Sequence, residues 1–300
     1  MGAKKQKGNT EELKTILNEL LKKSVEEIKG LRTKLFYLRC FVSIYYDLSQ
    51  YENELIYHQK LLTLFKENKD VFYAEDQAPV VINALECFNK NGKKKDFWEH
   101  ITHLDTIIKR LSKKQDYYTY WKYVCLFSYY TLHLDEDIPN EIYEKGIDIA
   151  KGENYELNSS NCKYMYSVIA NYFFVKKAFK KAQEMFDHIL LIHNLQPQDL
   201  YYFNIKILNI FCYIELGNIK IAQNEVSKLR RKINRDKIEN EALIEFLTLL
   251  AKLTTVFDVL IKRNLIYRKI YQLLANNKSN EIFGVELMHL YNWTAEKLNK

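Results

Sequence analysis

Glycine and proline are scarce in this sequence. It contains 8 Gly and 3 Pro, together 11 of 300 residues, where an ordinary globular chain of this length carries about 36. Tight turns depend on the positive φ of glycine, and β-sandwiches and β-barrels contain many of them. The shortage therefore excludes such folds, together with Gly-rich nucleotide-binding folds, and it indicates long helices joined by short polar turns.

Long apolar runs and closely spaced cysteines are also missing. No run approaches the roughly 18 apolar residues of a transmembrane helix, and the N-terminus lacks a signal-peptide core. The five cysteines are at least 37 residues apart and form no CxxC pair, which excludes a disulfide framework or a zinc knuckle. Gly2 precedes lysines, but Gln6 stands where a myristoylation site requires Ser or Thr. We predict a cytoplasmic protein with buried free thiols and no membrane role.

Arginine is scarce as well, although 45 Lys and Arg against 38 Asp and Glu give a net charge of +7. Because arginine is the usual bidentate reader of phosphates and bases, this weakens a nucleic-acid interpretation. Two basic clusters keep that alternative open: Lys93 to Lys95, and the denser set Arg230, Arg231, Lys232, Arg235 and Lys237. The competing interpretation of the denser cluster is a solvated helix end, where cations favour the helix dipole.

Apolar residues recur with a helical period along nearly the whole chain. The predicted helices span about 9–29, 31–48, 51–67, 79–91, 96–111, 117–134, 139–151, 160–176, 178–193, 198–216, 219–233, 238–254, 257–276 and 280–298. The 117–134 helix has aromatic residues on more than one face. We expect it to be central in the core, or partly exposed to a ligand.

Two helical hairpins share one pattern of core residues. The first reads Phe179-(2)-Ala182-(3)-Phe186-(2)-Ile189, and the second, forty residues later, reads Ile219-(2)-Ala222-(3)-Val226-(2)-Leu229. The small alanine allows the two helices to approach closely. This pattern resembles the tetratricopeptide repeat, and weaker copies begin at Tyr51, Phe97 and Tyr143.

The resemblance implies an all-α, right-handed solenoid of stacked antiparallel hairpins with long C-terminal capping helices. We predict three parts: a flexible basic tail and amphipathic helix over 1–30, repeats over 31–235, and a helical cap over 236–300. In such repeats the first helix of each hairpin lines a groove that binds a peptide or a partner helix. By position, the groove residues of the two well-matched hairpins are Tyr164, Asn171, Phe174, Asn204, Ile207, Phe211 and Glu215. The cap is an alternative surface for oligomerisation or partner docking.

Motifs that carry chemistry are absent. There is no GxGxxG, GxxxxGK[ST], GxSxG or HExxH sequence. Asp96, Glu99, His100 and His103 form the nearest thing to a metal site, but short helical clusters of this kind are common by chance. We therefore predict no metal, no cofactor and no catalytic residue, with a site assembled from distant residues as the alternative. The predicted function is a non-enzymatic adaptor, scaffold or regulatory subunit that binds a protein or peptide; a nucleic-acid-associated subunit is second.

Overall fold

The computed structural model describes residues 2–191, 202–237, 240–257, 259–276 and 287–298, without the side chains of 2–9 and 287–289. Within these ranges it contains fourteen helices and no strand. The helices are α1 (Gly2–Leu20), α2 (Leu31–Asp47), α3 (Tyr51–Glu67), α4 (Ala74–Lys90), α5 (Lys94–Arg110), α6 (Gln115–Leu132), α7 (Asn140–Lys151), α8 (Ser159–Val175), α9 (Phe179–Leu191), α10 (Tyr202–Glu215), α11 (Ile219–Arg235), α12 (Glu241–Thr255), α13 (Leu260–Asn276) and α14 (Leu287–Leu298).

The helices belong to two compact units, 1–132 and 133–300. Within each unit, helices that follow one another in the chain pack against one another, for example α2 on α3 and α8 on α9. The domain boundaries predicted from the sequence, after residues 30 and 235, mark where the repeat pattern begins and ends, whereas the two units are defined by contacts within the structure. The predicted boundaries stay a prediction. None of the described helices is both long and apolar enough to cross a bilayer.

Four hairpins share one turn. In each, the residue at the left-handed position has a positive φ: 55° at Ser49, 66° at Gly92, 61° at Lys177 and 75° at Gly217. The following residue donates its N–H to the carbonyl five residues back, over 2.8 to 2.9 Å, and the left-handed residue donates to the carbonyl three residues back. These are the two hydrogen bonds of a Schellman motif. The next helix begins two residues after the left-handed residue each time, so the turn sets a common register.

This register identifies the shared core positions. It aligns Tyr51 with the residues that begin the second helix of the other three hairpins: Lys94, Phe179 and Ile219. The second copy of the pattern therefore starts at Lys94 and not, as the sequence suggested, at Phe97. Ala182 and Ala222, the small residues of the two best-matched hairpins, are both fully buried, as close helix packing requires.

Two helices differ from their predicted bounds by five residues or more, and the predicted bounds at 193, 198, 238 and 280 lie outside the described residues. The first helix starts at Gly2 and ends at Leu20, so it includes residues predicted to be a tail, and Gly30 precedes α2 instead of ending α1. The fourth helix begins at Ala74, five residues before Pro79. The Tyr73 N–H donates to the Asp76 carboxylate over 3.0 Å, and this acidic residue at the third helical position starts the helix.

The aromatic helix α6 packs mainly in the core. Tyr120, Phe127 and Tyr129 are at most 1% exposed, whereas Tyr117 is exposed. One prediction about the cysteines was wrong. Cys40 is exposed and the other four are buried, because Cys40 lies on the face of α2 opposite its buried leucines.

Candidate functional site

The predicted groove residues of α10 form one face of that helix. Ile207, Phe211 and Glu215 are four residues apart, and this spacing places them in a row along an α-helix. Ile207 and Phe211 are buried. The Phe211 ring lies 6.2 Å from the ring of Phe246 on α12, centroid to centroid. The row is therefore apolar at its centre and ends in a carboxylate.

The last helix, α14, packs on α13 and contacts this row at Phe211 and Glu215. The Trp293 ring meets the Phe211 ring edge-on at a centroid distance of 4.5 Å, and its indole N–H donates to Glu215 Oε1 over 3.1 Å. One turn later, Lys297 Nζ lies 2.5 Å from the same oxygen. Lys177, in the turn before α9, pairs with Glu296 at 2.7 Å. The α10 face thus holds an amphipathic helix through an aromatic anchor and opposite charges.

Both groups that anchor α14 are well enclosed. Trp293 is 6% exposed, and the ring of Tyr267 on α13 packs on it at 5.4 Å. The side chain of Glu215 is 14% exposed. Burial and the Glu215 charge raise the pKa of Tyr267 to about 12, so its hydroxyl stays protonated near neutral pH. A charge-assisted hydrogen bond to a partly buried carboxylate is stronger than one in water.

A second polar network fixes α10 against the preceding hairpin. Asp187 Oδ1 on α9 accepts from Asn209 Nδ2 over 2.8 Å and from the Tyr213 hydroxyl over 3.3 Å. Burial, together with the Asp187 charge, raises the pKa of Tyr213 to about 12. Because these side chains face α9, they orient the row of Ile207, Phe211 and Glu215 away from it.

The remaining groove candidates are buried or half-buried. Phe174 is buried, and its ring packs on Phe179 of the same hairpin at 5.6 Å. Asn171 and Asn204 are also buried, and Tyr164 is half-buried. Of the predicted groove residues, Phe211 and Glu215 on α10 therefore contact α14. Contact of the α8 residues with a ligand stays a prediction.

Sequence reasoning missed the residues that α14 contributes. Trp293 and Lys297 are one helical turn apart inside a helix that was predicted as a cap, which is the only local signal they give. Their contact with Glu215 joins residues 78 positions apart, and such a pairing is not visible in a local pattern.

The basic cluster on α11 lies beside a cleft of about 470 Å³ that Tyr202 and Lys206 of α10 also line. Acidic residues neutralise part of it. Glu225 pairs with Lys206 at 3.0 Å and with Lys228 at 2.7 Å. Asp236 pairs with two members of the cluster, Lys232 and Arg235, at 3.5 and 3.0 Å. Arg230, Arg231 and Lys237 complete the cluster, and Lys93 to Lys95 lie at the start of α5. Nucleic-acid binding by either cluster stays a prediction.

The histidines of α5 line a cleft of about 490 Å³ between α3, α4 and α5. His100 Nδ1 lies 2.8 Å from the Asp96 carbonyl oxygen, so the backbone engages that nitrogen. Burial lowers the pKa of His103, and so do the charges of His100 and Arg110. In the described part of the chain, three metal-ligand atoms come together at another place, among α3 and α4.

Comparison with known proteins shows the fold. No protein-family model matches this sequence, and no curated protein matches it. A solved structure that it resembles is the apo form of the quorum sensor NprR from B. thuringiensis, with a TM-score of 0.59 and 14% sequence identity over 96% of this chain and 83% of that one. The predicted fold class, an all-α solenoid of stacked antiparallel hairpins similar to tetratricopeptide repeats, is confirmed.

Proposed function

We propose that this chain is a non-enzymatic, helical-repeat adaptor or regulatory protein that binds a peptide segment of a partner on the α10 face. One observation carries the proposal: this face already holds a helix, α14 of the same chain, through Trp293 and Lys297. Helix-in-groove recognition uses anchors at this spacing on an amphipathic helix. The partner segment would present an aromatic residue and, one turn later, a basic residue.

In this proposal α14 is a built-in competitor. A partner segment must displace it, or take its place after it leaves, to reach Phe211 and Glu215. The quorum sensor NprR has the same fold, which supports a sensing or regulatory role for the displacement. Oligomerisation through the C-terminal helices is an alternative role for this end of the chain. Light scattering of the purified protein would measure its oligomeric state.

The test measures the binding of a fluorescently labelled peptide with the sequence of residues 287–298. Its fluorescence anisotropy is recorded as full-length protein is added. Wild type should bind weakly, because its own α14 occupies the face. Trp293→Ala should bind the peptide at least about tenfold more tightly, since a charge-assisted hydrogen bond and an aromatic contact are lost from the competitor. Adding Glu215→Gln to Trp293→Ala should weaken binding again by about tenfold or more.

Two controls make the result specific. Trp98→Ala removes a tryptophan from the other compact unit and should leave peptide binding at the wild-type level. A peptide with alanine in place of its tryptophan should not bind Trp293→Ala. The proposal is wrong if Trp293→Ala stays folded by circular dichroism and binds the peptide no better than wild type does.

A further inference from the structure

Two core positions of the repeat hold polar side chains in the first of the four hairpins. The common turn register aligns Glu54 and His58 with one apolar pair in each of the others. Those pairs are Phe97 and Ile101, Ala182 and Phe186, and Ala222 and Val226. All of them are at most 6% exposed, and so are Glu54 at 4% and His58 at 1%. A carboxylate and an imidazole therefore occupy positions that the fold normally fills with hydrocarbon.

Hydrogen bonding does not compensate for this burial. Among the residues that the structure describes, neither nitrogen of His58 has a hydrogen-bond partner, and nor does Glu54 Oε2. His58 Nε2 lies 3.4 Å from Glu54 Oε1, close enough for an ion pair but without hydrogen-bond geometry. Polar atoms that are buried without a hydrogen-bond partner destabilise the folded protein. Such a cost indicates a ligand for these atoms.

A third buried group completes the arrangement. Cys87 on α4 is 1% exposed, and the ligand atoms of Glu54, His58 and Cys87 all lie within 4.8 Å of one another. Carboxylate oxygen, imidazole nitrogen and thiolate sulfur are the three ligand types of zinc, whose tetrahedral ligands are about 3.3 to 3.7 Å apart. The distance between His58 Nε2 and Glu54 Oε1, 3.4 Å, already lies within this range.

We propose that Glu54, His58 and Cys87 bind one Zn²⁺ ion between α3 and α4. A carboxylate and a thiolate together balance its two positive charges, so the buried site is neutral, as a low-dielectric interior requires. The Tyr51 carbonyl oxygen also lies beside this group, 3.7 Å from Cys87 Sγ. Asn91 Nδ2, 3.5 Å from the same sulfur, supplies an outer-shell donor to the thiolate. The site departs from the absence of metal expected from the sequence.

Metal binding must release a proton. A cysteine thiol that binds no metal is protonated near neutral pH. Zinc binds the thiolate and the neutral imidazole. The thiol proton therefore passes to solvent when the Zn–S bond forms.

The test uses Co²⁺ as a spectroscopic substitute for Zn²⁺ in the full-length, chelator-treated protein. We expect one equivalent of cobalt per chain, a thiolate-to-cobalt charge-transfer band in the near ultraviolet, and the strong visible bands of tetrahedral cobalt. Zinc should displace the cobalt and abolish both signals, and it should raise the melting temperature. A wild-type protein that binds no stoichiometric cobalt, or binds it without the thiolate band, overturns the proposal.

Variants identify the ligands. Cys87→Ser should abolish the charge-transfer band, whereas Cys125→Ser, at another buried thiol, should leave it unchanged. Glu54→Gln keeps the shape of the side chain and should weaken zinc binding by more than the 10- to 100-fold that loss of an outer-shell partner causes. Asn91→Ala should fall within that 10- to 100-fold range. A band that persists in Cys87→Ser also overturns the proposal, and the wild-type spectrum decides the question if a variant does not fold.

Discussion

Replacing Lys177 by glycine should stabilise the turn between α8 and α9, although it removes an ion pair. Lys177 occupies the left-handed position of the α8–α9 turn at φ 61°, where the α10–α11 turn has Gly217 at φ 75°. A non-glycine residue in this conformation costs roughly 1 to 2 kcal/mol. Glycine also increases the conformational entropy of the unfolded chain, and this lowers the stability by about 0.4 to 1 kcal/mol. The backbone effect alone should therefore be a gain of about 1 kcal/mol.

A matched variant, Lys177→Ala, separates the effect of the lost ion pair from the effect of the backbone conformation. Lys177→Ala loses the pair with Glu296, in which both side chains are about half exposed, and such pairs contribute about 0 to 1 kcal/mol. It keeps the left-handed strain. The difference between Lys177→Gly and Lys177→Ala thus isolates the backbone. Gly217→Ala is the reverse change. Since a Cβ there meets no atom of the described residues within 4 Å, its cost of about 1 kcal/mol is conformational.

Thermal unfolding followed by far-ultraviolet circular dichroism measures both effects. One kcal/mol corresponds to about 2 to 4 °C for a unit of this size. Lys177→Gly should melt that much higher than Lys177→Ala, and Gly217→Ala that much lower than wild type. Equal melting temperatures for the two Lys177 variants would refute the common Schellman turn and, with it, the register that aligns the hairpins.

Two further substitutions test local packing and charge. Gly152→Ala should destabilise by about 2 to 4 kcal/mol in a denaturant titration, because φ is 72° and the new Cβ would lie 2.7 Å from Cys162 Sγ; adding Cys162→Ala should recover part of this loss, and no recovery would argue against the contact. At Glu225, burial raises the pKa, but its lysine partners outweigh burial and hold the pKa below its usual range. Its stabilising effect is present at neutral pH and is lost as pH falls through the folded-state pKa, so the melting temperatures of wild type and Glu225→Gln should converge below about pH 4. A difference that persists in acid would contradict this assignment.

Helix order and most helix bounds could be predicted because they depend on local properties. The third helix spans Tyr51–Glu67, where it was predicted, since the turn before it and the apolar period within it lie in one short stretch of sequence. Pro79 misled the prediction of α4 because proline is tolerated near a helix start. The hydrogen bond from the Tyr73 N–H to Asp76 marks where that helix begins, and the tyrosine at the N-cap position is not a strong cap by type.

The candidate sites needed tertiary information. The row on α10 could be placed by its position in the repeat, but its occupant depends on where α14 packs, and no local pattern records that. Glu54 and His58 lie one helical turn apart in the sequence, but the register that aligns them with apolar pairs in the other three hairpins came from the structure. Cys87 joins them only through the packing of α4 on α3, so the three ligand types did not form a recognisable motif.

A tethered occupant sets a threshold for any partner of the α10 face. A segment linked to its own binding face by a short connection has an effective concentration in the millimolar range. A free partner at about 1 μM competes at roughly a thousandfold disadvantage, which amounts to about 4 kcal/mol. A partner segment that copied only Trp293 and Lys297 would therefore leave α14 in place. It must gain contacts that α14 does not use, and among the groove positions predicted from the repeat the half-buried Tyr164 on α8 is the candidate for them.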